Sequence, residues 1–150
     1  MKKNFLPISI DISTAKILII GGGQSALKKI RILQRSGINP EVLAENILED
    51  IRVLGIICHQ KAYEKSDLKG YLMLYSCTNN EITDRQIVTD AKDAGVLVNI
   101  HDNPSLCQFV SPAIYRIGNI SVAVSSNAEN VQESIRIRNL IQEFIENQNN

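Results

Sequence analysis

The chain has 150 residues, 44% of them hydrophobic, with 16 basic and 16 acidic side chains. That size and apolar content suffice for a globular core, whereas a net charge of zero and the absence of tryptophan argue against nucleic acid, which calls for a basic excess and stacking platforms. No run approaches the roughly 20 apolar residues of a membrane helix, and Pro7 and Asp11 interrupt the N-terminal apolar segment before it can read as a signal peptide, so a soluble, cytoplasmic protein is expected.

The isoleucine-rich run 16–20 reads as a strand buried on both faces. Three consecutive glycines follow, and the period then changes. Over 24–36, Ala26, Leu27, Ile30 and Leu33 fall on one side and Lys28, Lys29, Arg31 and Arg35 on the other. This is an amphipathic helix with Gly37 as its stop. A second strand is expected at 41–44, a short helix at 47–54 and a third strand at 55–59. Residues 72–76 read as a fourth strand, ending in the polar turn Cys77-Thr78-Asn79-Asn80. A helix over 82–94 closes at Gly95, and a fifth strand over 96–100 runs into the turn His101-Asp102-Asn103-Pro104. The last strand is expected at 120–124, and Asn127 is read as the cap of a final helix, 131–146. Strands alternating with helices imply a parallel sheet with right-handed crossovers. The apolar residues of the final helix cover more than half its circumference. Either a second subunit covers it or the helix lies deep in its own domain.

The strand–glycine–helix passage fits the dinucleotide fingerprint G-x-G-x-x-[G/A], here Gly21, Gly23 and Ala26. Gly21 would make the turn, Gly23 would let the backbone approach a pyrophosphate, and Ala26 would allow close helix–strand packing. The helix N-terminus offers unpaired N–H groups to phosphate. In this fingerprint an acid near the end of strand two holds the adenosine ribose; Glu45, 24 residues beyond Gly21, is the candidate. No arginine is expected nearby to take a 2′-phosphate, which favours NAD over NADP. The dinucleotide set is therefore Gly21, Gly22, Gly23, Gln24, Ser25, Ala44, Glu45 and Thr78. No permanent metal site is expected: the two histidines and three cysteines lack ligand spacing, and the adjacent Cys58 and His59 would point to opposite faces of a strand. Cys58, Cys77 and Cys107 read as free thiols of a reducing compartment.

Several segments together resemble the siroheme synthase N-terminal family, the precorrin-2 dehydrogenases and sirohydrochlorin ferrochelatases. Phe5-Leu6-Pro7-Ile8 is similar to the family's opening "YLP", and Gly21–Lys29 to its "GGGxVAxRK". The most specific stretch is Val98-Asn99-Ile100-His101-Asp102-Asn103-Pro104 with Leu106-Cys107-Gln108-Phe109 and Ser111-Pro112-Ala113-Ile114, similar to "VNVVDxPxLCxFxxPAI". Residues 120–126 are similar to the family's "VAIST/VAVSS" strand.

The resemblance implies an α/β fold: a Rossmann-like NAD-binding domain with a parallel sheet over 1–115, then a truncated region, 116–150, holding a short strand and a dimerisation helix. It implies NAD-dependent oxidation of precorrin-2 to sirohydrochlorin by a homodimer, with Fe2+ a transient substrate where iron is also inserted. Asp102 matches the family's catalytic aspartate. Asn99 flanks it, Ser126 matches a serine beside the tetrapyrrole pocket, and Arg116 stands where the family often has arginine to meet substrate carboxylates. Lys28, Arg136 and Arg138 are further candidates for that basic rim. His101 replaces a usually apolar residue, as an extra proton carrier or as an exposed variant. Where the family has "GGxSP" after Ser126, this chain has Asn127-Ala128-Glu129-Asn130, and the family continues into a longer helical region. These departures keep open a non-catalytic NAD- or tetrapyrrole-binding module that needs a separate partner, and a redox-sensing regulatory domain.

Overall fold

The computed structural model describes residues 2–150. They form two compact units: Ile10–Phe109, and Val110–Asn150 together with the residues up to Ser9.

The larger unit is built on five parallel strands: β1 (Ile17–Ile20), β2 (Glu41–Ala44), β3 (Cys58–Gln60), β4 (Met73–Ser76) and β5 (Leu97–Ile100), in the order β3-β2-β1-β4-β5. Every residue of β1 and of β4 is buried, as expected where helices cover both faces of a parallel sheet. The connections are α1 (Gln24–Arg35), the single turn α2 (Glu49–Arg52) and α3 (Glu81–Ala94), with a 3-10 turn at Lys65–Leu68. Helix α1 buries the expected stripe, Ala26, Leu27, Ile30 and Leu33, and each of its larger apolar side chains contributes about 1.5–3 kcal/mol by leaving water. Its last turn gives way to Gly37 at φ +76°, and α3 ends at Gly95 with φ +69°. At both points the chain turns in the left-handed region that glycine enters at least cost. The strand order reverses at β1, between β2 on one side and β4 on the other. In open α/β sheets ligands bind beyond the carboxyl ends of the strands at such a switch point.

In the smaller unit the strand expected at 120–124 is present, but as one arm of an antiparallel hairpin. Strands β6 (Ala113–Ile117) and β7 (Ile120–Val124) turn at Gly118, and α4 (Val131–Gln148) follows them. The sequence does not announce β6, because Ala113–Ile117 lacks a clean apolar–polar alternation: its exposed face carries Ile114 as well as Arg116. The cap of α4 also differs from the expectation. Asn130, not Asn127, accepts from the Glu133 backbone N–H at 3.0 Å, the spacing an N-cap requires. Asn127 instead holds the N-terminal segment: its Oδ1 accepts from the Phe5 N–H at 2.6 Å and its Nδ2 donates to the Lys3 carbonyl at 3.1 Å. Burial of α4 within its own domain does not occur. Ser134 is its one buried residue, and Val131, Leu140 and Phe144 are 61%, 51% and 66% exposed.

Candidate functional site

The glycine triplet lies where β1 ends and α1 begins, and its three members do different things. Gly21 has φ +125°, and a Cβ there would overlap the Cys77 carbonyl of the β4–α3 connection. A Cβ on Gly22 would overlap the Asn46 carbonyl beyond β2. The loop is therefore clamped from both sides, and its backbone bonds agree: Gly21 N–H to Leu43 O at 2.9 Å, Cys77 N–H to Ile20 O at 2.7 Å and Leu48 N–H to Gly22 O at 2.9 Å. Gly23 is the reverse case, because a Cβ there would meet no protein atom within 4 Å. Its exposed backbone borders a cleft of about 420 Å³ lined by Gly22, Gly23, Asn46, Ile47, Arg52 and Gln60, among others.

That cleft opens on the start of α1. Gly23 occupies the N-cap position and supplies no side-chain acceptor, and the first turn holds no acid. The other two long helices are finished differently. At α3, Asn80 accepts from Thr83 N–H and Glu81 sits in the first turn; at α4, Asn130 does the same for Glu133. The orphan N–H groups of α1, and the positive end of its dipole, are left for an anion. A backbone cradle kept open at Gly23, beside a helix N-terminus with no cap, fits the pyrophosphate of a dinucleotide. Gln24 and Ser25, in the first turn, would hold it.

The other expected dinucleotide residues are distributed as follows. Ala44 closes β2, and Glu45 is exposed just beyond it. The Glu45 carbonyl accepts from Gln60 Nε2 at 3.1 Å. The Thr78 hydroxyl is committed to structure: it donates to Asp84 Oδ1 at 2.7 Å, beside a second bond to that oxygen from Ser76 Oγ at 2.6 Å. One expectation is overturned. An arginine does stand at this end of the cleft, because the single turn α2 carries Arg52 back to it, where its Nη2 donates to Gln60 Oε1 at 2.8 Å. The sequence distance between Ala44 and Arg52 conceals this.

Beyond β5, Asp102 adopts φ +56°, a left-handed conformation that costs most residues about 1–2 kcal/mol and that aspartate tolerates better than most. Its side chain is 87% exposed, with Oδ2 3.2 Å from His101 Nε2. The turn beneath is fixed by Cys107, whose buried thiol donates to the Ile100 carbonyl at 3.3 Å, and by the His101 N–H, which donates to Ser76 O at 2.9 Å. Asn99 is buried, and its Nδ2 donates to the Phe109 carbonyl at 3.0 Å. Cys77 is buried as well, and that burial pushes its thiol up to about 11, so it stays an unreactive thiol at neutral pH. Sequence reasoning assigns no site role to Lys29, whose ammonium lies 4.7 Å from the Tyr75 ring centre. Burial pulls its proton affinity down, while nearby Cys77, Cys107 and Asp102 act to raise it.

In the smaller unit, Ser126 Oγ accepts from the Asn130 N–H at 3.0 Å. Asn127 and Ala128 hold φ +60° and +61° where the resembled family places glycines. Arg116 is exposed on β6. Arg136 is paired with Glu133 at 2.6 Å, and Arg138 donates to Asn139.

A family model of NAD(P)-binding proteins matches residues 8–113. Siroheme synthase of Azotobacter vinelandii is 32% identical over 130 residues, covering 84% of this chain and 28% of that protein. Siroheme synthase of Ectopseudomonas mendocina is 34% identical over 128 residues, covering 83% and 28%. The chain belongs to the NAD(P)-binding, siroheme synthase N-terminal family. It spans little more than a quarter of the length of the siroheme synthases it matches. The fold of this family member is also that of a solved structure, "SirC, precorrin-2 dehydrogenase", with a TM-score of 0.74 at 19% identity, covering 93% of this chain and 70% of that one. Among the described residues no helix is long and apolar enough to cross a membrane.

Proposed function

We propose that the chain is an NAD-dependent dehydrogenase that oxidises precorrin-2 to sirohydrochlorin. The observation that carries this reading is the pairing, at one end of one sheet, of an uncapped α1 above an open glycine cradle with an exposed, conformationally strained carboxylate on Asp102. Its support beyond geometry is the family and the siroheme synthase relatives.

Bound NAD+ supplies the hydride acceptor. This chain's residues do the rest. Gly21 and Gly22 shape the loop, the N–H groups after Gly23 with Gln24 and Ser25 hold phosphate, and Asn46, just beyond Ala44 and Glu45 at the end of β2, borders the adenosine ribose. Thr78 shapes the far side of the loop through Asp84. Asp102 takes the proton that the substrate must lose. His101, in contact with the same carboxylate, can pass that proton to solvent. Asn99 fixes the segment leading to Phe109. If Fe2+ is inserted as a second reaction, two pyrrole protons must leave, and Asp102 is the base available for both.

The exposed Val131, Leu140 and Phe144 of α4 form the contact of a homodimer in this reading. Size-exclusion chromatography with light scattering should give a dimer, and Phe144→Glu a monomer. One observation favours a second reading, a binding module that needs a partner: the loop after Ser126 carries Asn127, which ties down the N-terminal segment, and Ala128, where glycines are expected. The experiment that separates the two follows NADH absorbance after the full chain is mixed with precorrin-2 and NAD+. Turnover supports the enzyme; dinucleotide binding without turnover supports the module.

A further inference from the structure

Arg52 stands out when the charged side chains around the cleft are compared. It borders the cleft with Gly23 and Asn46, and its guanidinium makes one hydrogen bond, to neutral Gln60, at 2.8 Å. No carboxylate pairs with it among the described residues, although Glu45, Glu49 and Asp50 are close in sequence and exposed. A guanidinium has five N–H donors in a planar fork, matched to phosphate oxygens. Gln60 uses one of them and, through its own bond to the Glu45 carbonyl at 3.1 Å, steadies the group against the end of β2. In dinucleotide-binding sheets the ribose of the adenosine lies at the end of the second strand, and an arginine there accommodates a 2′-phosphate. Glu45, the acid that would disfavour that phosphate, does not line the cleft; Asn46 does, and an amide has no charge to repel it.

We propose that Arg52, steadied by Gln60, is a subsite for the 2′-phosphate of an adenine dinucleotide, so that this chain binds NADP(H) alongside NAD(H). The inference rests on the dinucleotide reading of the glycine loop and extends it to cofactor choice. Loss of one charge-assisted contact should weaken a ligand by roughly tenfold or more. NADH and NADPH are titrated onto the full chain by fluorescence at low ionic strength, with 2′,5′-ADP and ADP as displacing probes. The expected result is NADPH affinity within about tenfold of NADH or tighter, and 2′,5′-ADP displacing better than ADP. Arg52→Gln should weaken NADPH about tenfold or more and leave NADH within about twofold, with Arg52→Lys between. Arg52 is exposed, so these variants fold. NADH binding without measurable NADPH binding overturns this inference alone, as does an equal effect of Arg52→Gln on both. Failure of both dinucleotides to bind overturns the underlying reading as well.

Discussion

Two groups of polar residues, one at each end of the five-stranded sheet, are in opposite states. Towards the amino end, Glu41 opens β2 and is saturated: His59 Nε2 lies 2.8 Å from its Oε2, Tyr71 OH donates to the same oxygen at 2.6 Å, and Lys16 Nζ sits 3.1 Å from Oε1. Lys16 also lies 4.8 Å from the Tyr71 ring centre. At the carboxyl end, α1 lacks a cap, Gly23 faces an open cleft, Arg52 has no counter-ion among the described residues, and Asp102 is held exposed at positive φ. Polar groups that satisfy one another hold a fold together, and groups left unsatisfied by the fold are available to a ligand. The same sheet thus separates structure from function along its own strands.

The largest effect expected is at Asp102. Asp102→Asn should lower dehydrogenase turnover by about 10²–10⁴-fold, the range for a general base, while NAD+ affinity measured by calorimetry stays within about twofold. Equal loss of both would make Asp102 a structural turn residue and erase the distinction between the two ends. Next come the neighbouring glycines. Gly22→Ala drives a methyl into the Asn46 carbonyl and should cost about 3 kcal/mol in urea denaturation; Gly23→Ala meets no protein atom and should leave stability within about 0.5 kcal/mol.

At the amino end, Glu41→Gln should cost about 2 kcal/mol through weakened charge-assisted bonds and leave dinucleotide affinity unchanged. Burial acts to raise the Glu41 carboxyl, but the bonds from His59, Tyr71 and Lys16 outweigh it and hold the group at about 2 against an ordinary 4.5. Because the folded value is depressed, this stability is complete above about pH 5 and lost as pH falls towards 2. Urea midpoints of the wild type should decline through that window, and those of Glu41→Gln should decline less. The smallest effect carries the comparison outside the sheet: Ala128→Gly, which relieves a left-handed alanine, should raise stability by about 0.5–1 kcal/mol.

Why some of this is legible in the sequence and some is not follows from the range of the forces involved. The strands, the stripe of α1 and the stop at Gly95 are local: apolar period and glycine placement specify them within a dozen residues. The triplet is legible for the same reason, though not the division of labour within it, since what excludes a side chain at Gly21 and Gly22 comes from the segments that follow β4 and β2. The Glu41 cluster and the return of Arg52 depend on strand register and on a one-turn helix, which no periodicity reports. Strand β6 escapes because its exposed face holds an isoleucine, Ile114, beside Arg116, which blurs the period of two. Asn130 is readable as a cap from its position three before Glu133, but Asn127 offers the same side chain at a plausible start.

The most direct test of the central claim is a titration of NADH onto the wild type and Gly23→Leu. A leucine there starts from a Cβ that meets no protein atom within 4 Å and places its side chain in the path of the pyrophosphate. The account predicts saturable binding by the wild type and a loss of about 100-fold or more in the variant, with an unchanged melting temperature. A variant that binds NADH as the wild type does would contradict it.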